Sequence, residues 1–230
     1  MPRAKSTVSK PARRPTDALA QLAPRFGTDR RHNPSQFYRT PCAAPMALLN
    51  VEGRRIRSVS RRVQECASGE GDLVRVLAAY DFDVVASDIR RGPEICGQGG
   101  VDFLKSKRLR APVIITNPPF AEVAEKFIRH AKKLKALYLA LLLPSGFFQS
   151  AAANIRCFLD HPPTRIWPLG FRLDFTGAGK ALPNAFSWFV WDWSGIERGH
   201  HEYPASRVFA RPVSVLMPAL AKPKHMVVPQ

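Results

Sequence analysis

The residues best equipped for chemistry stand four in a row: Asn117, Pro118, Pro119 and Phe120. The side-chain oxygen of an asparagine and the carbonyl oxygen of the next residue are both hydrogen-bond acceptors, so together they can take the two N–H groups of one amino substituent. An amino nitrogen on an aromatic base is a poor nucleophile, because its lone pair is delocalised into the ring. Acceptors fixed in advance localise that pair and stabilise the charge that develops as the nitrogen reacts. Pro119 stiffens the segment, and Phe120 offers a flat apolar face on which a ring can stack. The pattern selects an amino or amide nitrogen as the reacting atom. A strand ended by prolines, with a buried phenylalanine behind it, is the purely structural alternative.

A second group lies upstream, in Glu65-Cys66-Ala67-Ser68-Gly69-Glu70-Gly71. Small residues in a tight strand-to-helix turn let the backbone approach a ligand and expose its amides. A dinucleotide loop of the form G-x-G-x-x-G would need glycine at position 74, which is Val74. Asp88 follows Gly69 by 19 residues, at the end of a second apolar run, where a carboxylate can accept both ribose hydroxyls of an adenosine-containing cofactor. A capping or surface aspartate is the plain alternative. Asp102 has the chemistry to receive the amino group of an adenine, with Phe103 beside it as a stacking face.

This set, E-x-x-x-G-x-G followed by a downstream Asp and then N-P-P-F, resembles the S-adenosylmethionine (SAM)-dependent amino methyltransferases, above all the phage-type DNA N6-adenine enzymes. The likeness covers roughly residues 37–193. It includes Phe37-Tyr38-Arg39-Thr40-Pro41, similar to the N-terminal cofactor motif of that family. The resemblance implies a Rossmann-like class I SAM-dependent methyltransferase fold, a mainly parallel sheet flanked by helices. It implies SAM as cofactor, with Tyr38, Thr40 and Pro41 touching it, Glu65, Gly69 and Gly71 on its methionine part, Asp88 on the ribose, and Asp102 with Phe103 on the adenine. Asn117, Pro118, Pro119 and Phe120 would be catalytic. Cys66 and Ser68 stand where relatives often carry Pro and Cys. The N-P-P-F form is also similar to motifs in enzymes that methylate adenine in RNA or glutamine in a protein. The expected reaction is therefore methyl transfer to N6 of adenine in DNA, with RNA adenine or protein glutamine as alternatives. An inactive nucleic-acid-binding protein on the same scaffold is the alternative from another class. A phage or prophage origin fits the likeness.

These residues need a frame to bring them together, and the hydropathy pattern supplies one. Short β-rich runs at 62–66, 82–87, 113–116, 137–143 and 185–193 alternate with amphipathic helical patterns, as βαβ units around a parallel sheet require. Leu73, Val76, Leu77 and Tyr80 recur at i, i+3, i+4 and i+7 after the glycine turn, one buried helical face. From 122 to 135 a second helix repeats Val123, Phe127 and Ala131, while Lys126, Arg129, Lys132 and Lys133 point elsewhere as a solvated basic face. Asp88 and Asn117 then both sit at strand C-termini, where open α/β sheets bind ligands. The stretch 170–184, with Arg172, Asp174, Phe175 and Lys180 among glycines, is a connection that can face substrate. Its Gly177-Ala178-Gly179-Lys180 lacks the frame of a phosphate-binding loop.

The chain carries 35 Lys and Arg against 18 Asp and Glu among 230 residues, a formal charge of +17. Such a field attracts polyanions, so nucleic acid is the expected partner, DNA ahead of RNA. Residues 1–62 hold 14 of the basic residues and only 3 of the acidic ones. Residues 1–35 read as a flexible basic arm, 36–211 as the catalytic domain, and 212–230 as a proline-rich tail. Four widely spaced cysteines and six histidines form no metal-ligand spacing, so reduced thiols and no metal are expected. No apolar run approaches a membrane span and no signal-type segment opens the chain, which predicts a cytoplasmic protein with no membrane partner.

Overall fold

The computed structural model describes residues 39–119, 122–147, 152–175 and 183–195. Tyr38, Phe120, Lys180, the basic arm and the proline-rich tail lie outside the described residues. The first helix, α1 (Ala43–Val59), is followed by β1 (Arg62–Glu65), α2 (Asp72–Ala79), β2 (Asp83–Asp88) and the two-residue β3 (Gln98–Gly99). A 3₁₀ turn (Phe103–Lys105), β4 (Val113–Thr116), α3 (Glu122–Lys133), β5 (Tyr138–Pro144), α4 (Ala152–Asp160), β6 (Arg165–Pro168) and β7 (Phe186–Asp192) complete the order.

The sheet runs β3-β2-β1-β4-β5-β7-β6. Pairings from β3 through β5 are parallel, and β7 is antiparallel to both β5 and β6. The alternation expected from sequence is therefore realised as a mainly parallel sheet. Strand bounds agree to within a residue at each end, and β4 coincides with the expected 113–116.

Strands buried on both faces read as continuous apolar runs, and here the two faces sort by parity. Tyr138, Ala140 and Leu142 of β5 join Val113, Ile115, Trp188 and Val190 in a core under α1 and α2. Leu139, Leu141 and Leu143 join Ile114, Phe189 and Trp191 in a second core with Phe127, Ile128 and Ala131 of α3 and Cys157 of α4. The result is three layers, helices on each side of one sheet. Helix α1 lies on the first face with Leu48, Glu52 and Ile56 buried at i+4 spacing. Strand order reverses between β1 and β4, and the crevice beyond the carboxyl ends of these two strands is where such sheets hold ligands.

Candidate active site

The crevice is floored by the turn that follows β1. Gly69 and Gly71 both have positive φ, 52° and 87°, which few L side chains adopt. A Cβ at Gly71 would also lie 2.7 Å from both Cβ and Sγ of Cys96. The turn is fastened to the end of β2 and the connection beyond it. Ser68 N donates to Ser87 O at 3.0 Å and Cys96 N to Gly69 O at 2.8 Å. Gly69 N donates to Asp88 Oδ2 at 2.8 Å, and the Ser68 hydroxyl to Cys96 O at 2.7 Å. The Ser68 side chain thus supports the turn itself and is buried.

Glu65 closes β1 and is buried. Its Oε1 accepts from Ala67 N at 2.8 Å and from the Thr116 hydroxyl at 2.6 Å, while Oε2 is buried without a hydrogen-bond partner. Burial pushes this carboxyl up to about 8, against the Thr116 and Ala67 hydrogen bonds that pull it down, and the nearby Asp88 charge adds to the rise. Cys66, beside it, is buried too, and burial raises its thiol well above the ordinary range. All four cysteines are free thiols.

Asp88 ends β2. Its Oδ1 takes the Arg90 N–H at 2.8 Å, and the Arg90 guanidinium approaches the same carboxylate at 3.2 and 3.3 Å. Asp88 O accepts from Val101 N at 2.8 Å, which brings Asp102 alongside. Asp102 caps the 3₁₀ turn through Oδ1 to Leu104 N at 3.0 Å, and Lys105 Nζ lies 3.4 Å from Oδ2. Phe103 is only 3% exposed, with ring centroids 5.0 Å from Phe127 and 5.1 Å from His130. It forms the wall behind Asp102, and both of its neighbours come from α3. Ile89, which sequence reasoning passed over, is 61% exposed directly after Asp88. A large side chain left that open at the ligand edge of a sheet is the available signal, and it is a signal of three-dimensional exposure that the sequence does not carry.

Thr40 and Pro41 reach the same crevice from the N-terminal side. Asn117 Nδ2 donates to Thr40 Oγ1 at 3.2 Å, and Asn117 Oδ1 is buried with no hydrogen-bond partner. Pro118 is buried and Pro119 exposed. Arg39 anchors this segment by a two-bond pair to Asp72 at the start of α2, Nε to Oδ2 at 3.0 Å and Nη2 to Oδ1 at 2.8 Å. Burial alone would raise the Asp72 carboxyl, but the hydrogen bonds and charges of Arg39 and Arg75 hold it below the usual range. Thr40, Pro41, Asp72, Asp174 and Phe175 line a cavity of about 220 Å³ here. Of the 170–184 connection, Asp174 and Phe175 therefore do approach the site.

No protein-family model matches the sequence, and no curated protein sequence matches it. Solved structures do match. A Pyrococcus horikoshii protein provisionally described as an RNA methyltransferase aligns over 71% of this chain and 88% of its own, at 15% identity and a TM-score of 0.52. A Listeria monocytogenes protein provisionally described as a class I SAM-dependent methyltransferase aligns over 71% of this chain and 63% of its own, at 14% identity and a TM-score of 0.51. The chain has the class I SAM-dependent methyltransferase fold.

The crevice of this fold fits SAM in its donor and acceptor chemistry. The cofactor presents N–H and O–H donors from its amino group, ribose and adenine. The chain places the carboxyl groups of Glu65, Asp88 and Asp102 along one edge, and Glu65 Oε2 is buried with no hydrogen-bond partner in the protein. Among the described residues, no group of three or more His, Cys, Asp or Glu is placed to hold a metal ion, and no helix is long and apolar enough to cross a membrane.

Proposed function

We propose that the chain transfers the methyl group of SAM to an exocyclic amino nitrogen, N6 of adenine in DNA, with Asn117 as the catalytic residue. The observation that carries this reading is the amide of Asn117: its nitrogen is committed to Thr40 and its buried oxygen has no partner. An unmet buried acceptor is costly unless a ligand supplies the donor. One N–H of the target amino group supplies it, and the Pro118 carbonyl accepts the other. Pro119 holds the two acceptors in place, and Phe120 stacks on the base.

SAM supplies an electrophilic methyl group on a sulfonium sulfur. Transfer would form the N–C bond as the S–C bond breaks, leaving that bond's electron pair on the sulfur as a neutral thioether, and would release one N–H proton to solvent. Glu65 receives the cofactor's ammonium group, whose charge favours the ionised form of its carboxyl. Gly69 and Gly71 let the backbone approach without a Cβ in the way. Asp88 accepts from the ribose, Ile89 packs on the adenine, and Asp102 accepts from the adenine amino group with Phe103 behind it. Tyr38, Thr40 and Pro41 close the methionine side. The net charge of +17 brings the polyanionic substrate to the crevice. A base in duplex DNA reaches Asn117 only after leaving the stack.

The test is transfer of labelled methyl from SAM onto unmethylated DNA, RNA and protein, each with an Asn117→Ala control. Label on DNA adenine that disappears in Asn117→Ala, with SAM binding retained, supports the reading. Label only on RNA or protein keeps the chemistry and changes the substrate. Equal loss of SAM binding and transfer in Asn117→Ala removes the catalytic role, and no SAM binding by the wild type favours an inactive scaffold.

A further inference from the structure

The flank of the domain beside the crevice carries cations that neither the fold nor the proposed chemistry uses. Phe103 in the 3₁₀ turn meets His130 on α3 edge to face at 5.1 Å and Phe127 at 5.0 Å, so turn and helix are packed together. Helical spacing puts Lys126, His130 and Lys133 on one side of α3, at i, i+4 and i+7. Because His130 faces Phe103, that side is the one turned towards the 3₁₀ turn. The chain leaving the turn carries Lys105, Lys107 and Arg108, all exposed, as are Lys126 and Lys133.

Among the described residues, acidic groups leave most of this ridge unneutralised. Asp102 is 3.4 Å from Lys105. Glu125, the neighbouring carboxylate on α3, turns to Arg129 at 2.8 Å, and Arg129 also pairs with Asp160 of α4 at 3.0 Å, on the flank away from the turn. Among the described residues, Lys107, Arg108, Lys126 and Lys133 belong to no ion pair. Two turns of helix separate Lys126 from Lys133, about 10 Å, which spans roughly three phosphates of one DNA strand at a rise of ~3.4 Å per phosphate.

We infer that Lys107, Arg108, Lys126 and Lys133 form a docking ridge for the phosphate backbone of duplex DNA flanking the site of methyl transfer. The choice of DNA rests on the function proposed above; the ridge itself rests on charge and geometry. Phosphate contacts position a substrate without reading its sequence. The ridge starts beside Asp102 at the crevice and runs along α3 towards the start of β5, so a duplex held there extends from the crevice along one flank of the domain.

The experiment is binding of a 30-base-pair duplex across a salt series, compared between the wild type, Lys126→Ala with Lys133→Ala, the fourfold Ala variant that adds Lys107 and Arg108, and Lys132→Ala with Lys135→Ala. The last pair removes the same charge as the first from the other sides of α3 and the chain after it. The fourfold variant is expected to bind about tenfold or more weakly at moderate salt, with a log–log salt slope shallower by about 0.9 for each phosphate that is no longer neutralised. The Lys132, Lys135 control should stay near the wild type, and SAM binding should be unchanged in all. Equal losses in ridge and control variants would overturn the ridge, leaving only general charge. So would an unchanged slope in the fourfold variant, a wild type that binds no duplex, or a variant loss seen with duplex RNA but not with DNA. Duplex binding is read without SAM and methyl transfer with it, so a failure of methyl transfer and a failure of the ridge are separately visible.

Discussion

The Thr116 hydroxyl donates to Glu65 Oε1 at 2.6 Å, so the carboxyl that closes β1 is held by the residue preceding Asn117. The proposed cofactor end and the proposed reacting end of the crevice therefore share one buried hydrogen bond across neighbouring parallel strands. Thr116→Val keeps the shape and removes the donor. Leaving a buried acceptor short should cost about 1–3 kcal/mol of stability, read as a lower urea midpoint at unchanged slope, together with weaker SAM binding. Intact SAM affinity in that variant would uncouple the two ends.

Glu65 titrates in an unusual window. Its carboxyl sits at about 8 in the fold against an ordinary 4.5, so between those pH values the folded chain holds a proton that the unfolded chain has released. Stability without cofactor must then fall as pH rises through that window. Glu65→Gln cannot titrate and still accepts from Thr116. Its melting temperature should match the wild type below pH 4.5 and exceed it increasingly up to about pH 8, levelling off beyond. SAM affinity should drop about 10- to 100-fold in the same variant, as loss of a charged hydrogen bond of ~1.5–3 kcal/mol implies. A melting difference that ignores pH would assign the titration elsewhere.

Much of this arrangement is legible in the sequence, for local reasons. Strand β4 is bracketed by Pro112 and Pro118, so its bounds and the position of Asn117 just beyond it follow from neighbouring residues. The glycine turn and Asp88 likewise announce themselves by type and spacing. Helix α1 does not, because Glu52 and Gly53 occupy buried positions of its face and break the apolar period. Glu52 is accommodated inside because Tyr138, Arg165 and Trp167, far along the chain, meet it there. The two-residue β3, the proline-ended β6 and α4 are too short or too weakly patterned to stand out. Phe103 reads from sequence as an open stacking face; its burial is decided by Phe127 and His130, which no local window contains.

Thr40 should act on turnover through Asn117. Thr40→Val removes the acceptor of the Asn117 Nδ2 proton and frees the amide to rotate, so its oxygen is no longer held for the target amine. Single-turnover transfer at saturating SAM and DNA should slow about tenfold, the equivalent of ~1.4 kcal/mol, and Thr40→Ser should restore most of it. Equal rates for Val and Ser variants would show that the methyl or the backbone of this segment matters and the hydroxyl does not.

Gly71→Ala tests the turn directly. The residue has φ of 87°, and the added Cβ would come within 2.7 Å of Cys96 Cβ. Strain of this kind costs about 1–3 kcal/mol, and in a domain of this size each kcal/mol lowers the melting temperature by roughly 2–4 °C. SAM binding should weaken as the turn shifts. A variant as stable as the wild type would mean that the β2 to β3 connection yields freely.

Glu52 accepts from Tyr138 Oη at 3.0 Å, Trp167 Nε1 at 2.7 Å and Arg165 Nε at 2.6 Å, and Arg165 and Arg55 both reach Asp192 Oδ2, at 3.2 and 2.7 Å. Tyr138 begins β5 and pairs with Asp192, which ends the antiparallel β7, so this network lies at the edge of the sheet opposite Asn117. Arg165 and Asp192 side chains are 12% and 2% exposed, and burying such charges is tolerable only while they stay paired. Glu52→Ala removes the acceptor of the tyrosine hydroxyl, of the indole N–H and of two Arg165 hydrogen bonds, and should cost about 3–5 kcal/mol by chemical denaturation. The fraction still folded should bind SAM with wild-type affinity, because nothing in the network touches Glu65, Asp88 or Asn117. A loss of affinity per folded molecule would instead mean that α1, which leads from Thr40 and Pro41 into this network, transmits its displacement to the crevice.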